Sequence, residues 1–111
     1  LRVGSHVWIG EEAWIDNLDD VTLGDNVCIS QGAYLCTGSH DATKPDFPLL
    51  LGPIVIEDQA WVCAKATVLQ GCTLRQGSVL MAGALATKGE LRAWTYYGGV
   101  PAKELGPREE G

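Results

Sequence analysis

One histidine in this chain, His40, combines a side chain suited to proton transfer with a position where the sequence changes character. It stands near the end of the stretch LCTGSHD, and the residues that follow are rich in proline and large apolar side chains. An imidazole takes up a proton near neutral pH and therefore serves as a general base in many enzymes. The residues around it leave two interpretations open: a catalytic base, or a polar surface residue at the mouth of a loop.

A catalytic histidine needs a polar neighbour that fixes its tautomer and leaves the other ring nitrogen free. An amide and two carboxylates of suitable type occur earlier in the chain, at Asn17, Asp19 and Asp20. They lie far from His40 in sequence, so a regular fold has to bring the groups together. The other histidine, His6, is expected to be a solvated turn residue.

A six-residue repeat supplies such a fold. Large apolar residues lead successive hexads, and small residues follow four places later. A helix does not repeat at six residues, and simple strand alternation repeats at two. The period is typical of a parallel β-helix, in which three hexads form one triangular coil and stacked coils build the core. The leading residues are Val3, Ile9, Ile15, Leu23, Ile29, Leu35, Ile56, Val62, Val68, Leu74, Leu80 and Ala86.

Two breaks in the repeat predict where the polar residues meet. The third hexads of the first two coils, led by Ile15 and Leu35, are followed by two and by fifteen extra residues. Because these hexads stack, both insertions leave the same side of the prism. The shorter insertion carries the amide and the carboxylates, and the longer one begins beside His40. We therefore expect a single polar cluster on this side.

The chain is predicted to form one all-β domain over residues 1–111, with a loop at 41–55 and a C-terminal tail at 89–111. The repeat is expected to end after Ala86, and Pro101 indicates the first turn of a short helix within PAKEL. Since Leu1 already lies inside a repeat, we expect the natural chain to begin earlier.

Composition excludes several classes of function. Eight Lys and Arg residues against fourteen Asp and Glu residues give a net charge of −6, which argues against non-specific binding to nucleic acid or to anionic membranes. No apolar run is long enough for membrane insertion, and no signal-peptide pattern is present. The four cysteines form no C-x-x-C pair, so we expect no metal site and predict free thiols in a reducing cytoplasm.

Four aromatic residues recur at the sixth place of their hexads, just past the inward corner. This place predicts rings on the outside of the prism, where they indicate contacts with other subunits or with an extended ligand. The four are Trp8, Trp14, Tyr34 and Trp61.

The repeats, together with TGSHD before a long loop and the closing GGVPAK, resemble the hexapeptide-repeat O-acetyltransferases. The nearest branch is the colanic-acid-biosynthesis type, and the galactoside and maltose acetyltransferases are more distant. The resemblance implies a left-handed parallel β-helix and a homotrimer with acetyl-coenzyme A between neighbouring prisms. It also implies acetyl transfer to a hydroxyl of a sugar or polysaccharide precursor.

The same resemblance implies roles for individual residues. His40 corresponds to the catalytic histidine, Asn17 to the site asparagine, and Asp19 or Asp20 to a site acid. Trp61 corresponds to the tryptophan near the pantetheine arm. The remaining coenzyme residues correspond to Ala64, Ala82, Thr87, Lys88 and Lys103.

Two alternatives stay open at this point. A carbonic anhydrase of the γ type uses the same prism but needs three histidine ligands for zinc, and this chain has only His6 and His40. A non-catalytic β-helix, either a coenzyme-binding module or a structural scaffold, is the second alternative. An ice-binding scaffold would carry regular outward threonine columns, which the threonines of this chain do not form.

Overall fold

A computed structural model describes residues 1–110 as an all-β solenoid of about five turns. The strands are β1 (Arg2–Val3), β2 (Trp8–Ile9), β3 (Trp14–Asp16), β4 (Val21–Leu23), β5 (Cys28–Ile29), β6 (Tyr34–Cys36), β7 (Gly38–His40), β8 (Leu49–Leu51), β9 (Ile54–Ile56), β10 (Trp61–Val62), β11 (Thr67–Val68), β12 (Thr73–Leu74), β13 (Val79–Leu80), β14 (Leu85–Ala86), β15 (Glu90–Leu91), β16 (Thr95–Gly98) and β17 (Lys103–Pro107). The fold is the left-handed parallel β-helix that the resemblance implied.

Three sheets, parallel except for the last strand β17, form the sides of the prism. Sheet A has the order β1-β4-β9-β12-β15, sheet B the order β17-β16-β13-β10-β5-β2, and sheet C the order β14-β11-β6-β3. The leading apolar residues pair in register from coil to coil, as with Leu23 beside Ile56 and Ile56 beside Leu74. This register confirms the hexapeptide rows, because each row forms one inward-facing stack.

The core lies along the prism axis. Leading residues from the second coil onwards are almost fully buried, including Ile29, Leu35, Ile56 and Leu74. Burying a side chain of this size contributes about 1.5–3 kcal/mol. The small residues of the second row fill the corners, where a larger side chain would meet its neighbours.

The corner between sheets A and B shows why polar residues and glycine recur at the turns. Each coil turns there through one residue with a positive φ, namely His6, Asn26, Gln59, Gly77 and Trp94. Asparagine and glycine tolerate this left-handed conformation best. His6 is exposed at this corner, as expected of a turn residue.

The C-terminal part differs from the sequence expectation in two ways. The repeat does not end after Ala86, because Leu91 and Tyr97 continue the inward rows beside Leu74 and Leu80. The step from Ala86 to Leu91 is one residue shorter than a hexad, which hid the fifth coil. The helix suggested by Pro101 does not form. Instead β17 pairs antiparallel with β16, so it satisfies the open backbone edge of sheet B.

Candidate active site

The long insertion forms a β-hairpin at the corner between sheets C and A. Strands β7 and β8 pair antiparallel, with Gly38 opposite Leu51 and His40 opposite Leu49. The segment 41–55, predicted as a loop, therefore contains strand β8 and the start of β9, and the turn covers only 41–48. The hairpin holds His40 on paired backbone at the rim of the prism, where its side chain is exposed.

The hydrogen bond of His40 defines its tautomer. The ring Nδ1 lies 2.8 Å from the backbone oxygen of Phe47. A carbonyl oxygen only accepts, so Nδ1 carries the hydrogen and donates it. In the neutral ring Nε2 is then left with a free lone pair, which is the form that a general base requires. Phe47 itself has a φ of 47°, a left-handed backbone that is uncommon for a bulky residue.

The turn that holds Phe47 is closed by Asp41. The amide of Asp41 donates to the Pro48 oxygen at 2.9 Å, and its carboxylate accepts from the amide and hydroxyl of Thr43 at 3.0 and 2.6 Å. These two bonds, the hydroxyl bond first, lower the pKa of Asp41 below its ordinary value. Asp41 therefore stays charged and fixes the turn from which the Phe47 carbonyl reaches His40.

The shorter insertion is organised by Thr37. Its buried hydroxyl donates to the Asp16 oxygen at 2.8 Å and accepts from the Asp19 amide at 3.0 Å. The Asp19 carboxylate in turn accepts from the Asp20 amide at 2.7 Å. The Thr37 side chain thus holds the backbone on both sides of Asn17, which is exposed to solvent.

The two insertions meet through Leu18. A methyl group placed on Gly38 would sit 3.1 Å from the Leu18 Cδ1 atom, so Leu18 lies directly on the hairpin. Gly38 and His40 share one face of β7, because alternate residues of a strand point the same way. The structure thus places the segment with Asn17, Asp19 and Asp20 beside the hairpin face that carries His40. The orienting partner of His40, however, is the Phe47 carbonyl and not one of these side chains.

The residues matched to coenzyme binding fall at three separate places on the prism. Trp61 lies on the outside of sheet B and donates from its indole nitrogen to the Ser30 hydroxyl at 2.8 Å. Ala64 and Ala82 stack at the corner between sheets B and C, where the Gly83 amide donates to the Ala64 oxygen at 3.0 Å.

The remaining three residues are all exposed. Thr87 and Lys88 lie at the corner between sheets C and A, the corner from which the hairpin leaves. Lys103 lies on β17 and pairs with Gly98. The same strand borders a cleft of about 550 Å³ on the outside of sheet B, lined by Met81, Tyr96, Leu105, Gly106 and Pro107. On one prism these residues do not form a single pocket.

Four residues that organise the site were not among the predicted site residues. Thr37 and Phe47 act through a buried hydroxyl and a backbone carbonyl, which residue type alone does not reveal. Asp41 and Thr43 do carry a local signal, because an aspartate two residues before a threonine often forms a side-chain turn.

The thiols and metal-ligand types give little chemistry of their own. All four cysteines are free, and burial raises the pKa of both Cys63 and Cys72 to about 11. Within residues 1–110 no group of three or more His, Cys, Asp or Glu side chains is placed to hold a metal ion. The described part of the chain also has no helix long and apolar enough to cross a membrane.

Known proteins resemble this chain in sequence and in structure. An Escherichia coli protein named as a colanic acid biosynthesis acetyltransferase, WcaF, is 36% identical over 80 residues, which cover 72% of this chain and 44% of the relative. The crystal structure of a hexapeptide-repeat acetyltransferase from Vibrio cholerae superposes with a TM-score of 0.91 at 28% identity, over 98% of this chain and 63% of that one. This chain belongs to the hexapeptide-repeat acetyltransferases.

Two further similar proteins differ in what their names say that they bind or transfer. The Vibrio cholerae protein has also been solved in complex with acetyl-coenzyme A, with a TM-score of 0.90 at 26% identity over 98% of this chain and 61% of that one. A tetrahydropyridine-dicarboxylate N-succinyltransferase of Methylorubrum extorquens is 32% identical over 110 residues, covering 91% of this chain and 36% of the relative. This chain thus spans less than half the length of WcaF and of the N-succinyltransferase. No family model matches the sequence.

Proposed function

We propose that this chain carries the active site of an acetyltransferase that moves the acetyl group of acetyl-coenzyme A to a hydroxyl of a saccharide. The observation that carries the proposal is the hydrogen bond from His40 to the Phe47 oxygen, which leaves Nε2 free at an exposed rim. A base placed in this way on paired backbone is held more precisely than one on an open loop.

In the proposed reaction His40 acts as the general base. Its Nε2 takes the proton of the acceptor hydroxyl while the oxygen attacks the thioester carbonyl. The carbon–sulfur bond then breaks, and the imidazolium returns the proton to the leaving thiolate. Backbone N–H groups stabilise the negative charge on the carbonyl oxygen during the attack. Asn17, Asp19 and Asp20 flank the acceptor, and no metal takes part.

The coenzyme is proposed to contact Trp61, Ala64 and Ala82 through its pantetheine arm and to reach Thr87, Lys88 and Lys103 with its polar groups. Exposed lysine side chains can bind the phosphates of the coenzyme. Lys88 and Lys103 are two such lysines in a chain with a negative net charge. The acetyl-coenzyme A complex of the Vibrio cholerae relative supports this choice of donor.

The scattered positions of these residues support a homotrimer. On one prism Thr87 and Lys88 share the His40 corner, whereas Trp61 and Lys103 lie on sheet B. A neighbouring copy that sets its sheet B against this corner would complete one site from two subunits. The four free thiols suit a reducing compartment, and we place the reaction in the cytoplasm.

An amine acceptor is the second candidate, because one relative is named as an N-succinyltransferase. A hydroxyl acceptor depends more strongly on a base, since an amine that is already deprotonated attacks without losing a proton first. The colanic acid relative favours the saccharide hydroxyl.

An acceptor screen tests the proposal. Purified protein is mixed with acetyl-coenzyme A and matched pairs of sugars and amino sugars, and thiol release is followed. We expect release with at least one hydroxyl acceptor and the acetyl group on oxygen by mass spectrometry. Transfer only to the amine would favour the second candidate. Coenzyme binding without any transfer would indicate a non-catalytic module.

A further inference from the structure

An aromatic pair on the outside of sheet C is not used by the proposed reaction. Trp14 and Tyr34 are register partners on β3 and β6, and they line a cleft of about 280 Å³. The next residues along these strands, Ile15 and Leu35, belong to the inward rows, so the aromatic rings face outward. Trp14 is 68% exposed and Tyr34 is half-buried.

Polar groups border this aromatic pair on the side of the active site. Asp16 and Cys36 are also register partners, two residues further along the same strands and on the same face. A side-chain hydrogen bond with Cys36 is the largest cause that raises the pKa of Tyr34 to about 12, and burial and the negative charge of Asp16 add to it. The phenol therefore stays protonated as a donor, and the Asp16 carboxylate beside it is an acceptor.

Both strands lead directly into the candidate active site. β3 continues into Asn17, and β6 continues through Thr37 into the strand that carries His40. Asn17 follows Trp14 by three residues, which is about 10 Å along an extended strand. That distance is longer than one pyranose ring. The aromatic pair therefore lies beyond the sugar that reacts.

The aromatic pair and the polar groups beside it suit the binding of a sugar. One face of a pyranose ring carries C–H groups, which pack against the electron-rich face of an aromatic ring, while its hydroxyls need donors and acceptors at the edge. Further along sheet C the same column holds Thr67 and Leu85, so within residues 1–110 the aromatic part is confined to the two coils that carry the site.

We propose that Trp14 and Tyr34 form a saccharide subsite that stacks the sugar unit next to the one acetylated beside His40. The inference rests on the proposed saccharide acceptor and deepens it, because the acceptor is then an oligosaccharide or polysaccharide and not a free monosaccharide. Asp16 binds a hydroxyl of the stacked unit.

Binding measured without acetyl-coenzyme A tests the subsite. The probes are methyl glycosides of glucose, galactose and fucose, and disaccharides built from the same sugars. Indole N–H signals are followed by NMR in the wild type, Trp14→Ala and Trp8→Ala. Trp8 is the matched control, because it is equally exposed, at 68%, but lies on sheet B.

We expect at least one disaccharide to shift the Trp14 signal. Its affinity should fall about three- to tenfold in Trp14→Ala, as for the loss of one aromatic stacking contact, and stay unchanged in Trp8→Ala. The corresponding methyl glycoside should bind the wild type and Trp14→Ala equally. If Trp14→Ala lowers the melting temperature, Trp14→Leu replaces it in the same comparison.

Three results would overturn the subsite: no probe that shifts the Trp14 signal, unchanged disaccharide affinity in Trp14→Ala, or weaker subunit association or coenzyme binding in that variant. The failure of the proposed function looks different. Disaccharide binding at Trp14 without thiol release would refute the acetyl transfer alone, and transfer to a monosaccharide without a Trp14 shift would refute the subsite alone.

Discussion

At the scale of single residues, two buried hydroxyls in the same prism have opposite energetic roles. The Thr37 hydroxyl holds two backbone groups of the shorter insertion. The Ser78 side chain is also fully buried, but its hydroxyl has no hydrogen-bond partner within residues 1–110. An unpaired buried polar group costs free energy, whereas a paired one is costly to remove.

We therefore expect Thr37→Val to lower the free energy of unfolding by about 1–3 kcal/mol and Ser78→Ala to leave it unchanged or raise it slightly. Thr37→Val should also reduce turnover, because the Asn17 segment loses its anchor. Denaturant unfolding of both variants measures the difference. A Ser78→Ala variant less stable than Thr37→Val would contradict this assignment.

Asp41 links the charge of one side chain to the position of His40. Its folded-state pKa is lowered, so its stabilising contribution is present above the ordinary aspartate pKa and is lost as pH falls through the lowered value. Asp41→Ala removes both bonds to Thr43, and we expect turnover to fall about three- to tenfold at neutral pH with little change in coenzyme affinity.

Melting curves over a pH series provide the check on this prediction. The difference between the wild type and Asp41→Ala should shrink as the solution becomes acidic, because the protonated wild-type carboxyl also loses its strong acceptor. A difference that stays constant from neutral to acid pH would show that the carboxylate charge does not hold the turn.

At the scale of elements, the C-terminal strand is fastened to the prism by Arg108. Its guanidinium donates to the backbone oxygens of Gln59 and Gly77 at 3.0 and 3.1 Å and lies 5.3 Å from the centre of the Trp94 ring. Arg92, by contrast, makes an exposed ion pair with Glu104 at 3.2 Å. Exposed pairs of that kind contribute little.

We expect Arg108→Ala to lower the free energy of unfolding by about 1–3 kcal/mol, since hydrogen bonds from a charged group and a cation–π contact are lost together. Arg92→Ala, the matched control, should cost less than about 1 kcal/mol. Equal losses in thermal or denaturant unfolding would mean that Arg108 does not fasten β17.

The elements also show how far the sequence predicts this fold. The six-residue rows predicted the first four coils, because the leading apolar residues keep their spacing within each coil and lose it only at the two insertions. They missed the fifth coil, where one residue is absent before Leu91. The segment PAKEL, with Pro101, favoured a helix where β17 forms, because the pairing of β17 with β16 is a long-range contact that local propensity does not contain.

The candidate site was predictable to a similar extent. Stacking of the two interrupted hexads placed His40 and the Asn17 segment on one corner, as the structure shows. The orienting group was not predictable, because it is the backbone carbonyl of Phe47 and any residue type at that position has one. The stacked hexads led us to expect Asn17 or an adjacent aspartate in this role.

At the scale of the whole molecule, the separation of the proposed coenzyme residues leads to a prediction about assembly. If each site combines the His40 corner of one subunit with sheet B of the next, His40→Ala and Lys103→Glu should complement each other. Trimers that contain both variants should hold some sites with an intact His40 and an intact Lys103.

Sedimentation and a mixing assay test this arrangement. We expect a trimer, little thiol release from either variant alone, and partial recovery when the two are unfolded together and refolded. A stable, active monomer would contradict the trimer. A mixture that stays as inactive as its parents would place both residues in the same half of the site.

The most direct test of His40 as the general base is the turnover of His40→Ala beside that of His6→Asn. His6 is the other histidine, it is exposed at a turn with a φ of 58°, and asparagine tolerates that conformation. With the acceptor found in the screen, we predict that His40→Ala releases thiol about 10²–10⁴ times more slowly than the wild type, with unchanged melting temperature and coenzyme affinity. His6→Asn should match the wild type. Turnover of His40→Ala within about threefold of the wild type would contradict the assignment of His40 as the base.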